Sequence, residues 1–160
     1  MTSPYFEYNK PKVIQALRYH FISRREIKVM MIMVNVFAIL AAGLYFWKKI
    51  SPAAFLMSSF LWILMMLVFW LILPQLVYRR SATFKNRYKV TISENGFTLE
   101  SGEAYKTWEW SAFDSWMESP HFFHLYFNPR SFFIIPKEIF QSEEEIKARK
   151  QFKNFIQSKK

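Results

Sequence analysis

The chain contains no cysteine, which excludes a disulfide framework, a thiol nucleophile and thiolate metal ligation. Glycine is almost as scarce. Gly43, Gly96 and Gly102 are the only three, too few for a glycine-rich loop that cradles phosphate. Charge is missing from two long stretches, Val29 to Trp47 and Ala53 to Leu73, which hold no Asp, Glu, Lys, Arg or His. Runs of about 19 and about 21 residues reach roughly 28 to 32 Å as helices, close to a hydrocarbon core of about 30 Å. Only Lys48-Lys49-Ile50-Ser51-Pro52 separates them. The two stretches are expected to form a transmembrane helical hairpin. With no ionisable group inside either span, a proton relay or ion pathway through these helices alone is disfavoured.

What is present in excess is positive charge, +10 overall. Its distribution decides its meaning. Residues 1–80 carry ten Lys/Arg against two acids, and the remainder carries twelve against ten. The excess flanks the apolar runs and forms no basic face on the following domain, so nucleic-acid binding is not expected. Arg18, Arg24, Arg25 and Lys28 precede the first run, and Arg79, Arg80, Lys85 and Arg87 follow the second. Such flanks place both termini on the cytoplasmic side of a cell inner (cytoplasmic) membrane, with the short loop outside. They also favour anionic head groups. A cleaved signal peptide is the competing reading of the first run, weakened by its length and by the immediate second span.

Along the chain, residues 1–28 form an N-terminal segment, with Pro4 to Tyr8 extended and Asn9 as a helix N-cap. From Lys10 to Arg25, Val13, Ile14, Leu17 and Phe21 recur on one helical face. That helix either lies in the membrane interface or packs on the soluble domain. The hairpin unit spans 29–78, with helices over 29–47 and 53–73. Ala38, Ala42 and Gly43 permit close helix approach, and Asn35 reads as an amide bonded within the helix pair. Tyr45, Phe46 and Trp47 suit an aromatic belt. Pro74 should end or kink the second helix.

In the last segment, 81–160, the period falls to two. Tyr88, Val90 and Ile92 alternate with polar residues, Asn95-Gly96 signals a hairpin, and Phe97 and Leu99 resume the alternation. Ser101-Gly102 gives a second turn. Further strands are expected at Tyr105–Trp110, Phe113–Glu118, His121–Phe127 and Ser131–Ile135, broken by Ser119-Pro120 and Asn128-Pro129-Arg130. A final helix opens on a capping box of Ser142 and Glu145. Ala148, Phe152, Phe155 and Ile156 form its apolar stripe, and Lys159-Lys160 close it. The fold class is therefore a membrane α hairpin plus an α+β/all-β domain: two transmembrane helices, then a PH-like (pleckstrin-homology-like) antiparallel β-sandwich or barrel capped by a C-terminal helix.

Candidate chemistry is thin. His121 and His124 are three apart, which on a strand puts them on opposite faces, so no metal site is expected. Glu94, Glu100, Glu103, Glu109, Asp114 and Glu118 are scattered, as solvated faces would have them. Ser111, Ser115 and Ser119 lack an elbow motif or an evident base. No catalytic, cofactor-binding or metal residues are assigned, and no cofactor is expected. The Ser93-Glu94-Asn95-Gly96 loop is short and acidic, so specific phosphoinositide binding is not expected either.

Trp110, Phe123-His124-Leu125-Tyr126, Phe133-Ile134-Ile135-Pro136-Lys137-Glu138-Ile139-Phe140 and Ser142-Glu143-Glu144 together resemble the YcxB-like family of bacterial membrane proteins. The resemblance implies a domain similar to bacterial PH domains placed after a two-helix hairpin, and no assigned reaction. Each motif residue also has a packing role: Pro136 ends a strand, Phe140 pins the turn into the last helix. The functional expectation is a membrane protein with a cytoplasmic interaction or self-assembly domain, its partners the bilayer and a protein partner or homo-oligomer. Trp108, Trp110 and Trp116 are the expected exposed anchors. The alternatives are an accessory subunit of a transporter or secretion complex, docking through Asn35, Ala38 and Ala42, and an enzyme using His124 or Glu109.

Overall fold

The computed structural model describes residues 1–157. The expected closing lysines, Lys159 and Lys160, lie outside the described residues. The chain divides into two compact units: Leu17–Arg80, and Met1–Ala16 together with the chain from Ser81.

The first unit is helical. Helix α1, Lys10–Ser23, begins in the other unit and runs into this one. Asn9 caps it, its Oδ1 accepting from the Lys12 amide at 3.3 Å. Val13, Ala16, Leu17, His20 and Phe21 are its buried residues, so the apolar face includes Ala16 and His20 beside three of the expected positions. Helix α2, Arg25–Phe46, and the helix that starts at Pro52 are each long and apolar enough to cross a membrane, and neither span is buried inside the protein. Ser51 caps the second helix, its Oγ accepting from Ala54 at 3.3 Å, with Pro52 in the first turn. Tyr45 stacks on Phe55 across the loop, ring centres 4.6 Å apart.

Pro74 does not end this second helix. Helix α3, Pro52–Leu67, passes through a π-helical turn, Val68–Ile72, into helix α4, Leu73–Arg80. A proline at position 74 has no N–H for the carbonyl four residues earlier, that of Trp70. Widening the turn absorbs the ring, and Arg18 supplies a donor: its Nε bonds the Trp70 carbonyl at 2.9 Å. The guanidinium also lies over the Trp70 ring, 5.1 Å from its centre. A residue distant in sequence thus satisfies the acceptor that proline leaves open.

The second unit contains six strands in two antiparallel sheets, ordered β1-β2-β3 and β4-β5-β6. The strands are β1 Lys89–Ile92, β2 Gly96–Ser101, β3 Ala104–Glu109, β4 Ser115–Glu118, β5 Phe122–Asn128 and β6 Ser131–Pro136. All six expected strands form. The third lies one residue earlier than expected, at the same length, because Trp110–Ala112 turn as a 3-10 helix. Alternation sorts the side chains as read from the sequence: Tyr88, Val90 and Ile92 are buried. The sheets meet through Phe97, whose ring lies 6.0 Å from Phe113 and 6.3 Å from Phe133. Helix α5, Ser142–Phe155, buries Ala148 and Phe152, and Phe152 packs on Phe123 at 5.3 Å. Phe155 is half exposed, so it leaves the expected stripe.

Two turn details differ from the sequence reading. The capping box is Gln141 with Glu144, not Ser142 with Glu145; the Gln141 amide donates to Glu144 Oε2 at 3.2 Å. The β1–β2 hairpin forms, but Asn95 does not take the left-handed conformation that a two-residue Asn-Gly turn requires. Gly96 is needed for a different reason: a Cβ there would sit 2.2 Å from the Trp108 carbonyl oxygen. Gly102, at φ +60°, has open space around it. Gly96→Ala should therefore lower stability by about 2–3 kcal/mol through enforced displacement of β3. Gly102→Ala should cost only about 1 kcal/mol of backbone strain. Urea unfolding of the detergent-solubilised protein, followed by tryptophan fluorescence, checks the order.

Candidate interaction surface

The three expected tryptophan anchors are not exposed. Trp110 and Trp116 are only 6 % and 7 % accessible. The Trp110 indole Nε1 donates to the carbonyls of Ser93 (3.2 Å) and Glu94 (2.9 Å), pinning the β1–β2 loop. Its ring stacks on Phe155 at 5.7 Å. Trp116 packs between Phe123 and Phe152, at 6.3 and 6.0 Å. Trp108 is half-buried and leans on Phe133 at 5.3 Å and Phe127 at 5.7 Å. Trp110 and Trp116 build the core; the polar edge of Trp110 is paired with backbone carbonyls, while Trp116 Nε1 is buried with no hydrogen-bond partner among the described residues.

The charged side chains also serve the fold. Glu118 at the end of β4 accepts from Arg149 Nε and Nη2 at 2.9 and 2.8 Å, and from Lys137. Glu145 joins the same network through Arg149 at 2.8 Å. Lys137 and the Arg149 guanidinium both lie over the Phe123 ring, at 5.2 and 5.9 Å. The network ties α5 to the β4-β5-β6 sheet. The Arg149 bonds, followed by Lys137, hold the Glu118 carboxyl below its ordinary range against the opposing effect of burial. Elsewhere Lys12 pairs with Glu138 and Arg87 with Glu7.

The two histidines lie apart, and only His124 is on a strand. His121 sits exposed in the β4–β5 turn and His124 is fully buried on β5. His124 Nε2 lies 2.9 Å from Ser119 Oγ, and Ser119 is buried as well, so this serine–histidine pair is enclosed by the fold. Among the described residues no group of three His, Cys, Asp or Glu is placed to hold a metal ion. Glu109 accepts a 3.3 Å bond from Ser111 Oγ. A polar hollow of about 240 Å³ beside Lys137 is lined by His121, Glu138, Ser142 and Glu145; its lysine is engaged with Glu118.

In the helical unit, Asn35 is used within the hairpin. Its Nδ2 donates to the Met31 carbonyl at 2.7 Å and its Oδ1 accepts from Trp62 Nε1 at 3.3 Å. Ala38 lines an apolar groove of about 290 Å³ with Val34, Phe37, Ser58, Leu61, Trp62 and Met65.

The positions that form this core and ion network run from the end of β1 into α5. Residues 92–153 match the YcxB-like protein family. No curated protein and no solved structure matches the chain. Within the YcxB-like region, the motif residues Phe123, His124, Leu125, Tyr126, Ile134, Ile135, Pro136, Ile139 and Phe140 are all buried, and Lys137 belongs to the Glu118 network. They specify packing.

A surface does emerge from the strand edges. Residues 1–6 run along β1: the Ser3 amide donates to Val90 O at 2.8 Å, and Phe6 and Tyr88 exchange bonds at 2.8 and 3.0 Å. On β4, the Trp116 amide donates to Gln157 O at 2.9 Å. On β6, the Ile134 carbonyl accepts from the Tyr8 hydroxyl at 2.7 Å. Burial, with Tyr88 nearby, pushes the Tyr8 phenol well above its ordinary pKa, so it remains a donor. Edge strand β3 has no such cover among the described residues. Its most exposed aromatic is Tyr105, 76 % accessible. No feature of the sequence marks this edge, since it is defined by what fails to fold back onto it.

Glu118 also generates a pH dependence. Its folded pKa is lowered, so its stabilising effect is complete above the unfolded carboxylate value of about 4.3. It is lost as pH falls through the lower folded value, because the unfolded chain binds the proton first. Glu118→Gln should cost about 1 kcal/mol at neutral pH, a networked but partly exposed pair. It should also flatten the decline in urea midpoint between about pH 5 and pH 3.

Proposed function

We propose that this protein is a multi-pass protein of the cell inner (cytoplasmic) membrane, with both termini cytoplasmic, whose 81–160 segment is a PH-like interaction or self-assembly domain. The membrane assignment is supported by two apolar helices whose side chains the rest of the protein leaves uncovered. A face that is hydrophobic and unburied needs lipid or another protein around it. The orientation rests on the basic residues that flank the two runs. Two three-stranded antiparallel sheets followed by one packed helix support the PH-like plan.

The observation that carries the interaction reading is the unequal treatment of the four sheet edges. Among the described residues, the chain satisfies backbone groups on β1, β4 and β6 and leaves β3 open. An unpaired edge is a site for strand addition, where main-chain bonds supply affinity and alternate side chains supply specificity.

Because the chain has no cysteine, single cysteines report topology cleanly. In intact cells an impermeant maleimide should label Ser51→Cys, and should label Ser131→Cys only after the membrane is opened. Equal labelling of both in intact cells overturns the orientation. A photo-crosslinking residue scanned through 85–157 in native membranes should trap a discrete protein adduct. A scan yielding none overturns the interaction reading.

A further inference from the structure

Resting on that interaction reading, we infer that strand β3, Ala104–Glu109, pairs antiparallel with β3 of a second copy of this chain, about a two-fold axis at Thr107. The argument begins with which backbone groups are available. Ser101 faces Ala104 across the two-residue Gly102-Glu103 turn. Such a turn closes on a hydrogen-bonded pair, and bonded and non-bonded pairs then alternate along the ladder. Ala104, Lys106 and Trp108 therefore turn their backbone groups toward β2, while Tyr105, Thr107 and Glu109 turn theirs outward. Three consecutive outward residues are open for pairing.

Side chains choose the occupant and the register. The strand carries Lys106 on the same side as Trp108, its ammonium 5.2 Å from the ring centre. A lysine on the inner face of an edge opposes indiscriminate addition of apolar strands. A second copy fits it. With the axis at Thr107, each Lys106 faces the partner copy's Trp108 ring, each Tyr105 faces its Glu109, and Thr107 faces Thr107. The aromatic, the cation, the hydroxyl and the carboxylate all find complements, and no like charges are opposed.

Neighbouring registers are worse. An axis at Lys106 sets Lys106 against Lys106 and Glu103 against Glu109. An axis at Trp108 shortens the overlap to Thr107–Glu109, and an axis at Tyr105 drives the partner into the Gly102-Glu103 turn. The Thr107 hydroxyl already bonds Thr98 across the β2–β3 ladder at 2.8 Å, which steadies the central residue.

The experiment uses the full chain in its native membrane. Thr107→Cys, treated with a short bifunctional maleimide, should give a dimer of twice the monomer mass. Ser131→Cys, at the β5–β6 turn, should give little. In the Thr107→Cys background, Tyr105→Lys places a cation opposite Glu109 and should raise the dimer yield. Tyr105→Glu opposes two carboxylates and should lower it, the two variants differing roughly fivefold because two symmetric pairs act together. Tyr105 is highly exposed, and unchanged urea midpoints confirm that neither variant unfolds the domain. Equal effects of Lys and Glu, or equal trapping at Thr107 and Ser131, overturn the register. An adduct at Thr107 with a different protein overturns self-pairing but leaves the interaction reading standing. No adduct there, together with none anywhere in the 85–157 scan, removes both.

Discussion

Two small sheets expose four strand edges, and each edge is a row of backbone donors and acceptors that must find partners or meet water. That constraint organises the second unit. The first six residues act as a partial extra strand along β1. Tyr8 reaches β6 with its hydroxyl, and the chain leaving α5 returns to β4 at Gln157. The N-terminal residues are therefore part of the β domain's structure although about 65 residues of helical chain lie between them and β1 in sequence. Loop-closure entropy grows slowly with loop length, so such a return is thermodynamically tolerable when it satisfies buried backbone and covers Tyr88, Val90 and Ile92.

The same rule operates in the helical unit with a different solution. A proline inside a long apolar helix leaves a carbonyl without its helical donor. Here the helix widens at Val68–Ile72 and Arg18 donates to Trp70. The guanidinium gains twice, from the carbonyl and from the ring face. A lysine at position 18 would provide a point charge without the flat surface that stacks on indole.

Much of this was legible before the structure. Two long apolar helices follow from the absence of charge, although the second continues past Leu73 to Arg80, and strand number follows from period-two alternation punctuated by Ser-Pro, Asn-Pro and Ser-Gly turns. Asn35 bonded within the hairpin follows from the cost of leaving an amide unpaired among apolar residues. The failures are equally physical. Gln141 and Ser142 are each followed three residues later by glutamate, so the sequence offers two capping boxes and the structure takes the first. The missing N–H of Pro74 is visible in the sequence, but Arg18 lies 52 residues before Trp70, whose carbonyl it bonds. Trp110 looked like a free anchor because its acceptors, the Ser93 and Glu94 carbonyls, are backbone groups that no side-chain pattern advertises. Trp116 sits on the four-residue strand β4, too short for alternation alone to assign its face.

The motif residues of the YcxB-like region and the residues that could meet a partner are largely different sets. Buried Phe123, Leu125, Ile134 and Ile135 tolerate change poorly because the core is close-packed. Networked Glu118 and Arg149 fix α5. Neither set faces outward to choose a partner. Tyr105, Thr107 and Glu109 are exposed, and substituting them disturbs few intramolecular contacts. Matching the YcxB-like family therefore speaks to the scaffold, while any partner choice resides in exposed side chains beside the open edge. Lys106 links the two: it stays in contact with the half-buried Trp108 yet stands at the boundary where another strand must approach. A single inward cation can thus keep an edge from pairing at random while remaining compatible with one well-matched strand.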